Sequence, residues 1–330
     1  MIDNHNYFSD ITLLIPTYNC GNEIKKHLKS LRPILGRFGQ IIIVDSYSDD
    51  GTYEIIRKRL LKYDALIYQR ERGLYQSWND AIYKANKKYC YISTIGDLPN
   101  INKIEAFFKK IIDSDVDVGI SPPSVIKRRY PGMIFNKWPI HHLLSTFNIT
   151  EPIILEGSVL KDINSYIIFS TFASSLSGSF ASNLTKTKLL KTIPLPTEYE
   201  GAGDVLWWLK ICELSKVLLI PEEVCTFLDH KKSHKPLSLN KMNALLNELF
   251  KYLSLDKNNE QLLNTYMEKY YGNKALRDKY GLLRLFIPKR YSYKFGRKKM
   301  HKKITLRSLS IAKKLALKID KYKYSLNIKN

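Results

Sequence analysis

Two short, uninterrupted apolar runs near the amino terminus constrain the fold of this 330-residue chain more than any other feature. They are ITLLIP (11–16) and QIIIVD (40–45), and each ends in a polar turn. Continuous apolar runs of this length are typical of central parallel strands, which are buried on both faces. Weaker runs of the same kind follow at 65–69, 89–94 and 116–120.

Amphipathic helix patterns lie between these runs. One covers 50–63, and its apolar residues form a stripe suited to packing on a sheet: Ile55, Ile56, Leu60 and Leu61. Regular alternation of strand and helix predicts an α/β fold, with a doubly wound, mostly parallel sheet flanked by helices and joined by right-handed crossovers. Ligands of such sheets bind beyond the carboxyl ends of the strands, so the strand-exit turns are the expected place for a functional site.

The charge of the chain is divided unevenly. The net charge is +22, but residues 231–330 hold 26 Lys/Arg against 6 Asp/Glu, a net of +20, which leaves +2 for residues 1–230. We therefore expect two regions, an α/β body over 1–230 and a basic, mainly helical region over 231–330. A nearly neutral body with a basic end disfavours a uniformly basic nucleic-acid-binding protein.

Cysteine usage and hydropathy predict a cytoplasmic location. The four cysteines show no CxxC spacing, which favours free thiols in a reducing compartment. The first ten residues, MIDNHNYFSD, are polar and lack the apolar segment of a signal peptide. The longest charge-free run, 163–185, contains seven serines and is too polar for a membrane-spanning helix, so it is expected to be buried or to line a cleft.

Acidic residues occupy the strand-exit turns. Asp45 ends the second apolar run, while Asp49 and Asp50 follow it and are expected to cap the next helix. Because Asp45 precedes those caps, its side chain is expected to face the crevice and accept hydrogen bonds there. Asp97 lies in TIGDLPN (94–100), where it is either a helix cap or a carboxylate that holds a ligand.

Five motifs in order resemble the family 2 glycosyltransferases, which adopt the GT-A nucleotide-sugar fold. The resemblance covers about residues 9 to 230 and implies a GT-A-like sheet. It also implies transfer from a nucleotide-sugar by an inverting, single-displacement reaction. The motifs are IPTYN (15–19), IIIVDSYSDDGT (41–52), ERGLYQSWNDAI (71–82), ISTIGD (92–97) and EGAGDVLWWLK (200–210).

The resemblance implies roles for individual residues. Asp204 would be the general base that deprotonates the acceptor hydroxyl. Asp97, with His230 as a candidate second ligand, would hold Mg²⁺ or Mn²⁺ against the diphosphate leaving group. The nucleotide-sugar would be bound, with Asp45 at the uridine, by Pro16, Thr17, Asn19, Asp45, Glu71, Gly73, Tyr75, Asn79 and Gly96.

The metal motif departs from the family pattern, because Gly96 stands where a second acidic residue is usual. One carboxylate can still hold Mg²⁺, which commonly keeps several of its own waters. Asp229 is an alternative to His230 as the additional ligand. Glu198 and Glu200 are alternatives to Asp204 as the base.

Three assignments keep a structural alternative. Asp204 opens a helix and is equally suited to be its N-terminal cap. Tyr75 and Trp78 lie in a helix pattern, where packing into the core is the alternative to ligand contact, and for Trp78 it is the preferred interpretation.

The basic region contains an amphipathic helix pattern within 289–324. Such a helix is typical of binding to an anionic membrane surface, and a helix docked on the protein body is the alternative. No feature specific to a nucleic-acid groove is present, so nucleic acid is not an expected partner. The apolar face comprises Ile304, Leu309, Ile311, Ala312, Leu315, Ala316 and Ile319, with Arg307, Lys314 and Lys318 opposite.

Together these features predict an inverting glycosyltransferase of the hexosyltransferase type. Its donor would be a nucleotide-sugar, UDP-linked by expectation, and its acceptor a glycan or lipid-linked glycan intermediate of a bacterial lipopolysaccharide O-antigen or capsule. It would act peripherally on the inner face of the cell membrane. The alternative is a non-catalytic, basic nucleic-acid-binding or scaffold protein with a degenerate transferase body. A dinucleotide-binding oxidoreductase is disfavoured because PTYNCGN (16–22) contains a single glycine.

Overall fold

The structure, a computed structural model, describes residues 6–126, 138–171, 176–228, 238–253 and 312–320. Within these ranges the chain forms eleven strands. In chain order they are β1 (Ile11–Thr17), β2 (Gln40–Asp45), β3 (Ala65–Gln69), β4 (Tyr89–Ile92), β5 (Leu98–Pro99), β6 (Val118–Ile120), β7 (Pro123–Ile126), β8 (Ile153–Glu156), β9 (Asn183–Lys186), β10 (Lys216–Leu219) and β11 (Cys225–Leu228).

Helices follow most of these strands. In chain order they are α1 (Gly21–Leu31), α2 (Thr52–Leu60), α3 (Leu74–Lys84), α4 (Ile101–Asp113), α5 (Pro139–Thr146), α6 (Ser158–Thr171), α7 (Thr187–Thr192), α8 (Gly203–Cys212) and α9 (Leu239–Phe250). Residues 312–320 form a further helical segment, α10. In the described part of the chain, no helix is both long and apolar enough to cross a membrane.

Eight of the strands form one sheet in the order β3-β2-β1-β4-β9-β6-β10-β8. Strand β1 pairs in parallel with β2 and β4, and β2 pairs in parallel with β3. Strand β9 runs antiparallel between β4 and β6, and β8 runs antiparallel to β10 at the edge. The predicted α/β fold with a mostly parallel sheet is therefore confirmed.

Helices cover both faces of this sheet. Successive strand residues point to opposite faces, so Leu13 and Ile15 join the core under α1, α2 and α4, whereas Leu14 joins the core under α3, α6 and α8. Both cores need apolar side chains, which explains why β1 and β2 are continuous apolar runs rather than alternating ones.

The apolar stripe predicted for the helix after β2 is only partly correct. Ile56 and Leu60 are buried against the sheet, as expected for residues four positions apart on one helix face. Leu61 is 81% exposed, because its backbone stays helical and the position after Leu60 lies off the buried face of the helix.

A second, three-stranded sheet in the order β5-β11-β7 holds the turn after β4. Strand β5 is only two residues long and pairs antiparallel with β11 through Cys225 and Thr226. The backbone N–H of Asn100 then donates to the carbonyl of Val224 at 2.8 Å. The turn containing Asp97 is thus fixed at both ends, by β4 and by β5.

The helix predicted to contact a membrane is docked on the protein over its described part. Leu315 and Ile319 are fully buried in the core shared with α6 and α8, and Ala312 and Ala316 pack against that core. Lys318 forms an ion pair with Asp162 of α6. The docked alternative is therefore correct for 312–320, because these apolar side chains are buried by protein.

The rest of the predicted apolar face, Ile304, Leu309 and Ile311, lies outside the described residues. The boundary near residue 230 stays a prediction, although α10 contributes to the core of the α/β body.

Candidate active site

The carboxyl ends of β1, β2 and β4 meet at one edge of the large sheet. The parallel register aligns Thr17 with Asp45, and the backbone N–H of Ser93 donates to the carbonyl of Leu14 at 2.9 Å. The exits of β2 and β4 therefore flank the exit of β1. This places the two carboxylates predicted for the site, Asp45 and Asp97, on turns of the same edge.

Asp45 is a fully buried carboxylate held by neutral donors. It accepts hydrogen bonds from Thr17 Oγ1 (2.9 Å), Ser48 N (2.9 Å), Ser48 Oγ (2.6 Å) and Gln69 Nε2 (3.1 Å). These bonds use about as many positions as a carboxylate offers. Asp45 thus forms the rigid floor of the crevice, and its contact with a uridine stays a prediction.

The turns after β1 and β2 are bonded to each other. The N–H of Asn19 donates to Ser48 Oγ at 2.9 Å, and the N–H of Asp49 donates to Asn19 Oδ1 at 3.1 Å. Asn19 adopts a positive φ of 43°, a conformation that asparagine tolerates better than most residues. The side chain of Asn19 therefore joins the two turns.

Asp50 caps two helices at once. Its carboxylate accepts the N–H of Gly21 at the start of α1 (2.9 Å) and the N–H of Thr52 at the start of α2 (3.1 Å). Partial burial opposes ionisation, but the hydrogen bonds from Thr52 and Gly21 hold the pKa of Asp50 below its ordinary value. The capping role predicted for this residue is confirmed.

Asp97 is not a helix cap. The cap of α4 is Asn100, whose side chain accepts the N–H of Asn102 at 3.2 Å. The Asp97 side chain is instead buried, with the residue 2% exposed. Its Oδ2 accepts hydrogen bonds from Thr94 Oγ1 (2.6 Å) and Ser179 Oγ (2.5 Å).

Gly96 has a φ of 97°, in the region that favours glycine. This turn directs the chain from β4 into β5 immediately before Asp97. The backbone conformation is a physical reason for glycine where the family usually has a second acidic residue. A nucleotide-sugar contact of Gly96 stays a prediction.

His27 supports the same turn from below, although the sequence analysis did not identify it. It is buried on α1, and its Nε2 lies 3.0 Å from Ser93 Oγ. Burial lowers the pKa of His27 to about 4, so the imidazole is neutral near pH 7. The sequence does indicate that His27 is buried, because it lies between Ile24 and Leu28 on the apolar face of α1.

Ser179 was likewise not singled out, although the serine-rich run that contains it was expected to be buried or to line a cleft. The side chains of Ser179, Thr94 and Asp97 offer a metal only oxygen atoms as ligands. No group of three His, Cys, Asp or Glu side chains suited to a metal forms within the described ranges. One carboxylate among hydroxyls fits Mg²⁺ or Mn²⁺, which take oxygen ligands and complete their shell with water and phosphate oxygens. His230 and Asp229, the predicted additional ligands, lie outside the described residues.

Asp204 lies in the first turn of α8 and is half-buried. Its Oδ1 accepts the N–H of the next residue, Val205, at 2.8 Å, whereas the N-cap of α8 is Ala202. A carboxylate in a first turn is stabilised by the helix dipole, which favours its ionised form. Asp204 is therefore not the N-cap of α8, and its role as base stays a prediction.

Two residues assigned to the nucleotide-sugar contact the segment before α8. Asn79 Nδ2 donates to the carbonyl of Leu195 at 2.8 Å, and its Oδ1 accepts the N–H of Leu195 at 3.0 Å. The Tyr75 hydroxyl lies 3.5 Å from the carbonyl of Gly201. Both side chains thus connect α3 to the chain that leads to Asp204.

The remaining predicted residues lie around the same crevice. Trp78 packs edge-on against Tyr75 and Phe180, as expected for a core residue. Gly73 precedes the first residue of α3, and Glu71 is exposed in the turn before it. Pro16 lies within β1, next to Thr17.

The segment that carries the carboxylates at the exits of β2 and β4 also matches a known protein family in sequence. Residues 12–170 match the sequence model of the family described as Glycosyl transferase family 2. The chain contains a family 2 glycosyltransferase domain. The matched part contains β1 to β4 and both buried carboxylates.

Solved structures share the fold of this glycosyltransferase. Residues 1–349 of S. aureus TarS in complex with UDP-GlcNAc match with a TM-score of 0.57 at 18% identity, over 92% of this chain and 81% of that one. The complex of the same TarS segment with UDP gives 0.55 at 18% identity, over 82% and 73%. No curated protein sequence matches the chain.

Proposed function

We propose that this glycosyltransferase moves a sugar from a UDP-sugar to a hydroxyl of a glycan or lipid-linked glycan intermediate. The product would belong to a cell-surface polysaccharide, either a lipopolysaccharide O-antigen or a capsule. The main support is the convergence of three carboxylates. Asp45 ends β2 and Asp97 follows β4, the two strands that flank β1, and α3 contacts the segment that leads to Asp204.

The choice of a uridine nucleotide rests on the shared fold with TarS, which was crystallised with UDP and with UDP-GlcNAc. In this chain Thr17, Asn19 and Asp45 lie at the exits of β1 and β2, where α/β sheets bind nucleotides. Thr17 bonds to Asp45, and Asn19 bonds to Ser48 and Asp49, so both turns are held in place before a ligand arrives. A preorganised site loses less conformational entropy on binding.

Asp97 would hold Mg²⁺ or Mn²⁺. The bound cation would neutralise charge on the diphosphate as it leaves the sugar. Hydrogen bonds from Thr94 and Ser179 to Oδ2 fix the Asp97 carboxylate in one orientation. His27 and Ser93 keep the turn in place beneath it.

Asp204 would accept the proton of the acceptor hydroxyl as its oxygen attacks the anomeric carbon of the sugar. The bond from that carbon to the diphosphate oxygen breaks in the same step, so the configuration inverts. One base suffices for such a displacement. The position of Asp204 in the first turn of α8 favours the ionised carboxylate that this role requires.

We also propose that the enzyme works at the cytoplasmic face of an anionic membrane. The support is the excess of 26 Lys/Arg over 6 Asp/Glu in residues 231–330. Within that region Lys313 and Lys314 are exposed on α10, on the side opposite its buried residues. Each cation near an anionic lipid surface contributes about 1 kcal/mol.

A panel of nucleotide-sugars, tested for thermal stabilisation and hydrolysis with Mg²⁺, Mn²⁺ or EDTA, examines this proposal. A donor that binds only the folded state raises the apparent melting temperature. Asp204→Asn should keep this stabilisation and lose roughly 10²–10⁴-fold in kcat, the usual contribution of a general base. Asp97→Ala should weaken the metal dependence. No stabilisation and no hydrolysis with any donor would favour the non-catalytic alternative.

A further inference from the structure

Tyr75 contacts the chain around the proposed base rather than lying open to the crevice. It is 3% exposed and packs edge-on against Trp78, with ring centroids 5.5 Å apart. Its hydroxyl reaches the segment before α8, at 3.5 Å from the carbonyl of Gly201. A side chain buried in this way has little surface left for a donor sugar.

The start of α8 is shaped to fit this ring. A Cβ at Gly203 would lie 2.8 Å from two carbons of the Tyr75 ring and 2.2 Å from the carbonyl oxygen of Pro196. Contacts this short are not tolerated, so only glycine lets α8 begin against the ring. The residue after Gly203 is Asp204, so the contact with the Tyr75 ring fixes the position of the helix start that carries the proposed base.

The hydroxyl of Tyr75 is also coupled to the Asp204 carboxylate. Burial, followed by the negative charge of Asp204, raises the pKa of Tyr75 well above its ordinary value, and a hydrogen bond with the Asp204 side chain adds to the shift. The phenol therefore keeps its proton at every physiological pH. A protonated phenol can donate a hydrogen bond to a carboxylate but cannot accept one from it.

Helix α3 is itself held firmly between the two halves of the site. Ser77 Oγ lies 2.9 Å from Ser46 Oγ, and this contact fixes the amino-terminal half of α3 to the turn after β2. One turn after Tyr75, Asn79 makes two hydrogen bonds to the backbone of Leu195. The helix is thus a rigid link between the exit of β2 and the start of α8.

We propose that Tyr75 is a positioning residue that orients the carboxylate of Asp204. This inference rests on the proposed function, in which Asp204 is the base. It replaces the donor contact expected for Tyr75 from the motif with a contact to the base. Tyr75 does not touch the reacting atoms and acts only through Asp204.

The test compares Tyr75→Phe with Asp204→Asn and with a matched control, Tyr166→Phe. Tyr166 is also buried, but its hydroxyl bonds to His142 and Thr146. We expect Tyr75→Phe to keep UDP-induced stabilisation and the KM for the donor, and to lose about tenfold in kcat. A hydrogen bond to the charged form lowers a carboxylate pKa, so its loss should move the acidic limb of the kcat profile to higher pH.

An effect of Tyr75→Phe on the KM for the donor instead of on kcat would overturn the proposal. A raised KM with unchanged kcat and pH profile would mean that Tyr75 contacts the donor after all. The Asp204 pKa, measured by carbon NMR with Asp204→Asn for assignment, tests the contact without turnover. This pKa should rise in Tyr75→Phe and stay constant in Tyr166→Phe. An equal Asp204 pKa in the wild type, Tyr75→Phe and Tyr166→Phe would refute the contact between Tyr75 and Asp204. Inactivity of the wild type with every donor would refute only the proposed function.

Discussion

At the scale of single residues, Gly96 links the sequence to the chemistry most directly. Its φ of 97° turns the chain between β4 and β5 immediately before Asp97, whose buried carboxylate bonds to Thr94 and Ser179. An acidic residue at position 96 would have to adopt a backbone conformation that L residues rarely take. The single-acid motif is thus a consequence of this turn.

Gly96→Ala should lower the free energy of unfolding by about 1–2 kcal/mol, the usual cost of a left-handed conformation for a residue with a Cβ. Gly36→Ala is the matched control. Gly36 does not have a positive φ, and a Cβ there would lie at an ordinary 3.4 Å from Tyr63. Urea denaturation followed by circular dichroism measures both variants. Equal losses would show that backbone strain at Gly96 is not the cause.

At the scale of elements, one side chain coordinates the starts of two helices. Asp50 bonds to the first residues of both α1 and α2, and these helices pack side by side on the same sheet face. Sequence alone predicted a cap for the nearer helix. The second cap could not be predicted, because Gly21 is 29 positions away and reaches Asp50 only once β1 and β2 have paired.

Asp50→Asn should destabilise the protein at pH 7, and the difference from wild type should shrink as the pH falls. The pKa of Asp50 is lowered in the folded state, so its contribution is fully present above the unfolded pKa of about 4 and is lost as the pH falls through the lower, folded value. Urea midpoints at pH 7 and pH 3 measure this. Asp49→Asn is the control, since within the described structure its carboxylate accepts no hydrogen bond. A constant difference across this pH range would exclude the ionised cap.

The motif match predicted the position of α3 but not the segments that α3 contacts. The matched positions Tyr75 and Asn79 do lie on a helix beside the crevice, as the pattern indicated. Their partners, Gly201 and Leu195, are 126 and 116 positions away. Spacing along α3 reports which residues share a face, but it carries no information about which distant segment will cover that face.

At the scale of the whole molecule, α10 joins the carboxy-terminal region to the α/β body. Leu315→Ala should cost about 2–5 kcal/mol of unfolding free energy, since it removes a buried side chain from the core shared with α6 and α8. Leu317→Ala is the matched control, because Leu317 is 71% exposed on the same helix. Thermal and urea denaturation of the full chain measure both. Similar stability of the two variants would contradict the docking of α10.

Membrane association through this region should depend on charge rather than on the buried apolar face. Replacing Lys313 and Lys314 together by glutamine should weaken binding to phosphatidylglycerol vesicles by about 2 kcal/mol, roughly 30-fold. Vesicle co-sedimentation measures this, with phosphatidylcholine vesicles as the uncharged control. Both lysines are exposed, so folding should be unaffected. Unchanged binding of the double variant would remove α10 from the membrane contact.

By itself, the sequence determined the α/β class, the strand-exit positions of Asp45 and Asp97, and the family. These follow from local information, because the length of an apolar run and the spacing of motifs report how each segment is buried. Only the tertiary structure decided that Ser179 bonds to Asp97, that Tyr75 lies against the start of α8, and that α10 is docked rather than free. Those contacts join segments far apart in the chain, and they form only when several elements pack together.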